Sequence, residues 1–140
     1  MATVEASGDQ LRALNALDEE QGPVLMLNLL RYREQANYVA DSDQLPCSGR
    51  EAYERYGLEV LPLIDRVGGK LCLSARAMAT VIAPEGERWD DMVVVRYPNV
   101  AAFKSMIFSE DYQAISFHRD AGLADSRLVV TQPKALDFSE

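Results

Sequence analysis

The stretch Gly22–Arg33, GPVLMLNLLRYR, constrains the fold more than any other part of the chain. Val24 to Leu30 is apolar throughout except for one amide, Asn28, and two arginines, Arg31 and Arg33, stand at its exit. A strand wetted on one face alternates apolar and polar residues, whereas an unbroken apolar run reads as a strand covered on both faces. The chain must therefore supply cover on two sides of this segment.

The segments around it give the order of elements. Ser7 followed by Gln10 has the spacing of a capping box, which predicts a helix over about 8–18 that buries Leu11 and Leu14. Glu34–Cys47 is polar and reads as a loop, with room for a turn of helix at Ala36–Val39. Ser48 and Glu51 form a second capping box. The helix behind it should run to about Val67 with Tyr53, Tyr56, Val60, Ile64 and Val67 as its inner stripe and Pro62 as a kink. Lys70–Ile82 and Trp89–Tyr97 read as a hairpin turning near Gly86. Asn99 and Ser109 are placed to cap two further helices, the second ending near Gly122, and Arg127–Thr131 reads as the last strand. The result is a helix followed by β-α-β-β-α-β, an α+β, ferredoxin-like protomer with an extra N-terminal helix. In that plan the first and third strands are expected as a parallel central pair.

With 140 residues the chain fits one domain, 1–140, with its core over about 22–132 and a tail over 133–140. Helices in such a plan cover one face of the sheet, and Val24, Met26 and Leu30 on the other would leave an apolar patch that soluble monomers seldom carry. Either the N-terminal helix or the sheet of a second copy must cover it. An isologous homodimer through the sheet faces is the favoured expectation.

Composition removes several function classes. A net charge of −8 with no basic cluster argues against nucleic acid or an anionic membrane as partner. The N-terminus lacks the pattern of a secretory signal and no apolar run could span a bilayer, so a cytoplasmic protein is expected. Cys47 and Cys72 have neither metal-ligand nor redox-pair spacing, and Cys72, in an apolar strand, reads as a buried thiol. With a single histidine, His118, a multi-histidine metal centre is excluded, and no metal or cofactor is expected. Glycine-rich phosphate loops and nucleophile elbows are missing from the sequence.

Strand alternation sorts the polar residues into a candidate site. Taking the more polar face of each strand as the one away from the helices places Asn28, Ser74, Arg76, Arg96 and Thr131 together, with Arg76 opposite or diagonal to Arg96. Two close arginines repel unless an anion, or acids of a facing subunit, come between them. Asn28, Arg76 and Arg96 are thus candidate ligands for a small carboxylate or enolate. Tyr53 and Tyr56 either line a pocket between helix and sheet as proton donors or serve as core with wet hydroxyls. His118, with Arg119 and Asp120, is an acid/base candidate or a surface histidine, and His118 and Tyr53 are the only catalytic candidates. Asp90 and Asp91, as strand neighbours, point to opposite faces and form no dyad.

Four segments together resemble a known family: GPVLMLNLLRYR with the tyrosine-bearing loop after it, AYERYG, WDDMVVVRYPNVAAF, and SEDYQAISFHRDAGLADSRLVVT. They are similar to the DUF1330 family of the dimeric α+β barrel superfamily, over about Gly22–Thr131. The resemblance implies a ferredoxin-like protomer dimerised sheet to sheet. Members of that superfamily include cofactor-free quinol monooxygenases, EthD-like proteins, muconolactone isomerases and haem-binding chlorite dismutases. It carries no catalytic residues over to this chain, and His118, in a charged helix, does not suggest haem. The functional expectation is a small dimer whose cavity binds a small organic acid or aromatic molecule, with cofactor-free proton transfer or O2 chemistry open to it. The alternative is a non-catalytic ligand-binding or accessory protein, and whether the chain is an enzyme stays open at this stage.

Overall fold

Side-chain caps start most of the helices. In the computed structural model, which describes residues 2–40 and 42–134, Ser7 and Gln10 close the first capping box at the head of α1 (Gly8–Asn15). Ser48 and Glu51 close the second at the head of α2 (Gly49–Arg66). Asn99 caps α3 (Val100–Ile107) and Ser109 caps the single turn α4 (Glu110–Gln113), which passes into α5 (Ser116–Gly122). Each cap satisfies backbone donors that a helix start leaves orphaned. The strands are β1 (Val24–Tyr32), β2 (Lys70–Arg76), β3 (Asp91–Tyr97) and β4 (Leu123–Thr131).

The strands form one sheet in the order β2-β3-β1-β4, giving the α+β ferredoxin-like protomer with an N-terminal helix. β1 runs antiparallel to both β3 and β4, so the central pair is antiparallel rather than parallel. The crossover over α2 makes β1 and β2 parallel, and the reversal between β2 and β3 then turns β3 against β1.

The helices cover one face only. Val24 and Met26 of β1 and Val95 and Tyr97 of β3 pack under Tyr56, Val60, Leu63 and Ile64 of α2 and Val100, Phe103 and Met106 of α3. Leu30 and Leu123 are wholly buried. The set Val24, Met26 and Leu30 is therefore the covered one, and the open face carries Leu25, Leu27 and Leu29 with Met92 and Val94 beside them. The apolar run is two-faced, as expected, but its faces are exchanged. α1 does not cover the open face, because its Leu14 packs against the core on the helix side. Leu11 stays exposed, and α1 buries no residue fully.

Where helix α2 crosses α5, Gly49 and Gly122 bring the backbones together. A Cβ added at Gly122 would lie 2.6 Å from the Gly49 carbonyl oxygen, and one added at Gly49 would lie 2.6 Å from that of Gly122. The 33–48 loop is tied into this crossing, with Arg33 N–H donating to the Gly122 carbonyl and Asn37 N–H to that of Ala121. It has no helical turn at Ala36–Val39.

β2 ends at Arg76, well short of Ile82. Beyond Ala77, whose N–H donates to the Asp90 carbonyl, the chain leaves the sheet as an arm, residues 77–90, before β3 begins. Cys72 lies on exposed β2 at an irregularity between Leu71 and Leu73, and its thiol is exposed rather than buried. β4 starts at Leu123, earlier than Arg127, because pairing with β1 continues to Tyr32. The tail after Lys134 lies outside the described residues.

Candidate functional site

At the exit of β1 the covered face turns polar. Tyr32 ends the strand, and its hydroxyl donates to the Asp91 carboxylate at 2.6 Å. Arg50, in the first turn of α2, donates to the same carboxylate oxygen at 3.0 Å, and its guanidinium lies 4.6 Å from the Tyr32 ring centroid. Asp90 points the other way and accepts from the Tyr32 backbone N–H at 2.8 Å. The opposite orientation of these neighbouring aspartates, which rules out a dyad, is what lets one hold the Tyr32 side chain and the other its backbone.

An open cleft of about 420 Å3 lies beside this group, lined by Tyr32, Arg33, Glu34, Ser48, Arg50, Arg88 and Asp90. Three arginines and two acids, Glu34 and Asp90, are among these residues. Arg50 is engaged with Asp91, and Arg88 lies 3.8 Å from Asp90, too far for a good hydrogen bond. A second open groove shares Glu34 and Ser48 with the first and continues along Gln35, Pro46 and Cys47.

Behind Tyr32 runs a row of phenols. Tyr32 and Tyr53 have ring centroids 5.6 Å apart, Tyr53 and Tyr56 5.2 Å, and Tyr56 and Tyr112 6.1 Å. The Tyr56 and Tyr112 hydroxyls are hydrogen-bonded at 2.9 Å. Burial raises the Tyr32 phenol above its ordinary value, with the Asp91 bond and charge adding to it. Burial likewise pushes Tyr53 up to about 12 and Tyr56 well above the usual range. All three stay protonated near neutrality, so they act as neutral hydrogen-bonding groups and as weak acids.

The other expected site residues do not converge. Asn28 lies on the covered face, and its amide donates to the Met26 and Val93 carbonyls at 3.3 and 3.4 Å, so it completes the sheet's own bonding. Ser74 and Arg76 share that face: Ser74 pairs in register with Val93 and Arg76 with Asp91, at the cleft end of the sheet. Arg96 and Thr131 lie on the open face in one row with Leu25, and Arg96 sits opposite Lys70 at the far end of β3. Arg76 and Arg96 are thus neither opposite nor diagonal. The β2 irregularity reverses its alternation, and the long arm replaces a tight hairpin, moving the register.

His118 is buried, not a surface residue, and its Nδ1 lies 2.7 Å from the Tyr38 hydroxyl. It packs between Phe117, at 4.1 Å between centroids, and Tyr38, edge-on at 5.7 Å. Burial, then the nearby Arg55 charge, lowers its pKa. The expected cluster with Arg119 is not formed, since Arg119 donates to the Val4 carbonyl. Among the described residues no group of three His, Cys, Asp or Glu side chains is placed to hold a metal ion. No helix among them is long and apolar enough to cross a membrane.

Sequence reasoning missed Tyr32, Arg50, Arg88 and the role of Asp91. Position 32 continues the even-numbered apolar face of β1, and that periodicity was available. The pairing of its hydroxyl with Asp91 is a contact 59 residues apart in sequence, which no local pattern reports.

Residues 44–132 match the model of a domain of unknown function, DUF1330. A protein of unknown function from Rhodopseudomonas palustris is 34% identical over 97% of this chain and 100% of its own, with a TM-score of 0.87. Two more distant structures share the fold. One is a Dabb family protein with a ferredoxin-like fold from Mesorhizobium loti, 12% identical over 82% of this chain and 100% of its own, TM-score 0.51. The other is a dimeric protein of unknown function from Bacteroides fragilis, also ferredoxin-like, 13% identical over 80% of this chain and 97% of its own, TM-score 0.51. No curated protein matches the chain.

Proposed function

The chain belongs to the DUF1330 family, a family that brings no activity with it, and on the strength of its own site we propose that it is a homodimer binding a small organic acid in the Tyr32 cleft. One observation carries the ligand class. Arg33, Arg50 and Arg88 outnumber the acids Glu34 and Asp90 in the lining of one open cleft beside Tyr32, whose phenol burial and the Asp91 bond keep protonated. A carboxylate or enolate would take charge-assisted hydrogen bonds from the guanidiniums, and an attached ring or short chain would lie beside Tyr32. Cofactor-free proton transfer here would need the Tyr32 hydroxyl to leave Asp91, since a phenol carries a single O–H and that one already donates to the carboxylate.

The homodimer is supported by the open sheet face, where Leu25, Leu27, Leu29 and Val94 are only half-buried and Leu73 and Val129 are exposed. A distant relative of the same fold is dimeric. A non-catalytic role has its own support. Asp91, the carboxylate next to the phenol, is engaged by both Tyr32 and Arg50 and is not free to take a proton from a ligand.

Calorimetric titration of the wild type with a panel of aromatic and aliphatic monocarboxylates tests the reading. At least one acid should bind, with affinity falling about tenfold or more in Arg33→Ala and Arg88→Ala. If no acid binds at millimolar concentration, or both variants bind as the wild type does, the cleft is not an anion site.

A further inference from the structure

The arm between β2 and β3 has an unusual surface. Met78 is 96% exposed, Val81 90% and Ile82 94%, so three large apolar side chains stand almost wholly in water. Isolated exposed apolar residues are ordinary, but three within five positions of one projecting segment form a patch. The base of the arm, in contrast, is fixed. Trp89 donates to the Glu87 carboxylate, Arg127 lies over the Trp89 ring at 5.0 Å, and the same Arg127 pairs with Glu87 at 3.3 Å. The arm is held at its root and bare at its tip.

A second feature on the open face is a like-charge pair. Lys70 and Arg96 stand directly opposite each other on β2 and β3, and both are exposed. Cross-strand like charges destabilise a sheet unless an acid lies between them. Among the described residues neither takes part in an ion pair, in a chain whose net charge is −8. The arm tip carries an acid in the same condition: Glu85 is exposed and has no ion-pair partner among the described residues.

These features fit each other, but not within one protomer. The arm leaves from the end of β2 opposite Lys70, and β3 re-enters the sheet at the end opposite Arg96. A protomer's own arm therefore stands at the other end of its sheet from the Lys70–Arg96 pair. A two-fold axis lying between the sheets and perpendicular to the strands would exchange the ends, setting each arm over that pair in the other copy. We infer that residues 77–90 form an intersubunit strap, each arm lying on the second copy with Met78, Val81 and Ile82 against apolar surface and Glu85 between Lys70 and Arg96. The inference rests on the homodimer proposed above and adds its register and the element that locks it.

Sedimentation velocity over a dilution series tests it, with circular dichroism to confirm that the variants fold. The wild type should be a dimer. The pair Met78→Ser and Ile82→Ser, whose effect is counted twice in an isologous interface, should weaken dimerisation by about 100-fold or more. Glu85→Lys and Arg96→Glu should each weaken it, and the two together should restore it toward the wild type. A wild type that stays dimeric with arm variants equally tight overturns the strap and leaves the dimer standing. A wild type that is monomeric at tens of micromolar overturns both. Weakening by the apolar pair without rescue by the charge exchange overturns the placement of Glu85.

Discussion

The Tyr32–Asp91 hydrogen bond is the geometric centre of the site, and its strength can be measured. The bond is short, 2.6 Å, and its acceptor carboxylate is only 16% exposed, so water is a poor substitute for the phenol. Hydrogen bonds to charged groups contribute about 1.5–3 kcal/mol. Tyr32→Phe does not leave Asp91 alone, because Arg50 still reaches it at 3.0 Å, though through a side chain that is 46% exposed. A pair so open to solvent is worth at most about 1 kcal/mol. The variant should therefore lose about 1–2 kcal/mol, a melting-temperature drop of roughly 3–8 °C for a chain of this size. A double-mutant cycle with Asp91→Ala, read by urea unfolding at neutral pH, should give a coupling energy of about 1.5–2 kcal/mol. A coupling below about 0.5 kcal/mol would show that the two groups do not act as a unit, and the site would lose its organising contact.

Three further outcomes follow from the packing and titration. Leu30→Ala should cost about 2–5 kcal/mol in chemical denaturation, because Leu30 is wholly buried at the centre of the sheet and deletion leaves a cavity. Gly122→Ala should cost about 2 kcal/mol or more, since its Cβ would meet the Gly49 carbonyl oxygen at 2.6 Å where α2 crosses α5; a neutral result would mean that the crossing can open without cost. The depressed pKa of His118 makes the unfolded chain bind a proton before the native one does, so its contribution to stability is present above about pH 6.5 and declines as pH falls through the lowered value. His118→Phe should flatten that part of the acid limb of a stability–pH curve, and an unchanged slope would count against a buried neutral imidazole.

Much of the architecture was legible because its signals are local. Capping pairs such as Ser48 with Glu51 mark a helix start within four residues, and the Val24–Leu30 run announces a strand covered on both sides. What failed depended on pairing between distant segments. The alternation of β2 breaks between Leu71 and Leu73, so Arg76 and Arg96, which an unbroken period of two places together, fall at opposite ends of the sheet and on opposite faces. Which face of β1 the helices cover is likewise not written in a run that is apolar on both. Val24, Met26 and Leu30 went under the helices, carrying Asn28 and Tyr32 with them. His118 looked like a surface residue because its neighbours Arg119 and Asp120 are charged; its cover is Tyr38, on a loop remote in sequence. The sequence-based site and the structural cleft consequently share the idea of arginines around a small anion but not the arginines themselves; Arg76 lies in register with Asp91 without lining the cleft.

The central claim is that the cleft beside Tyr32 receives a small organic acid. Backbone amide shifts of the isotopically labelled protein, followed during titration with benzoate and with a short aliphatic carboxylate, test it most directly. The amides expected to move are those of Tyr32, Arg33, Glu34, Ser48, Arg50, Arg88 and Asp90, the residues that line the cleft. Saturable shifts confined to that set would bear the account out. Shifts that gather on the Lys70–Arg96 row, or that stay linear and scattered at millimolar acid, would contradict it.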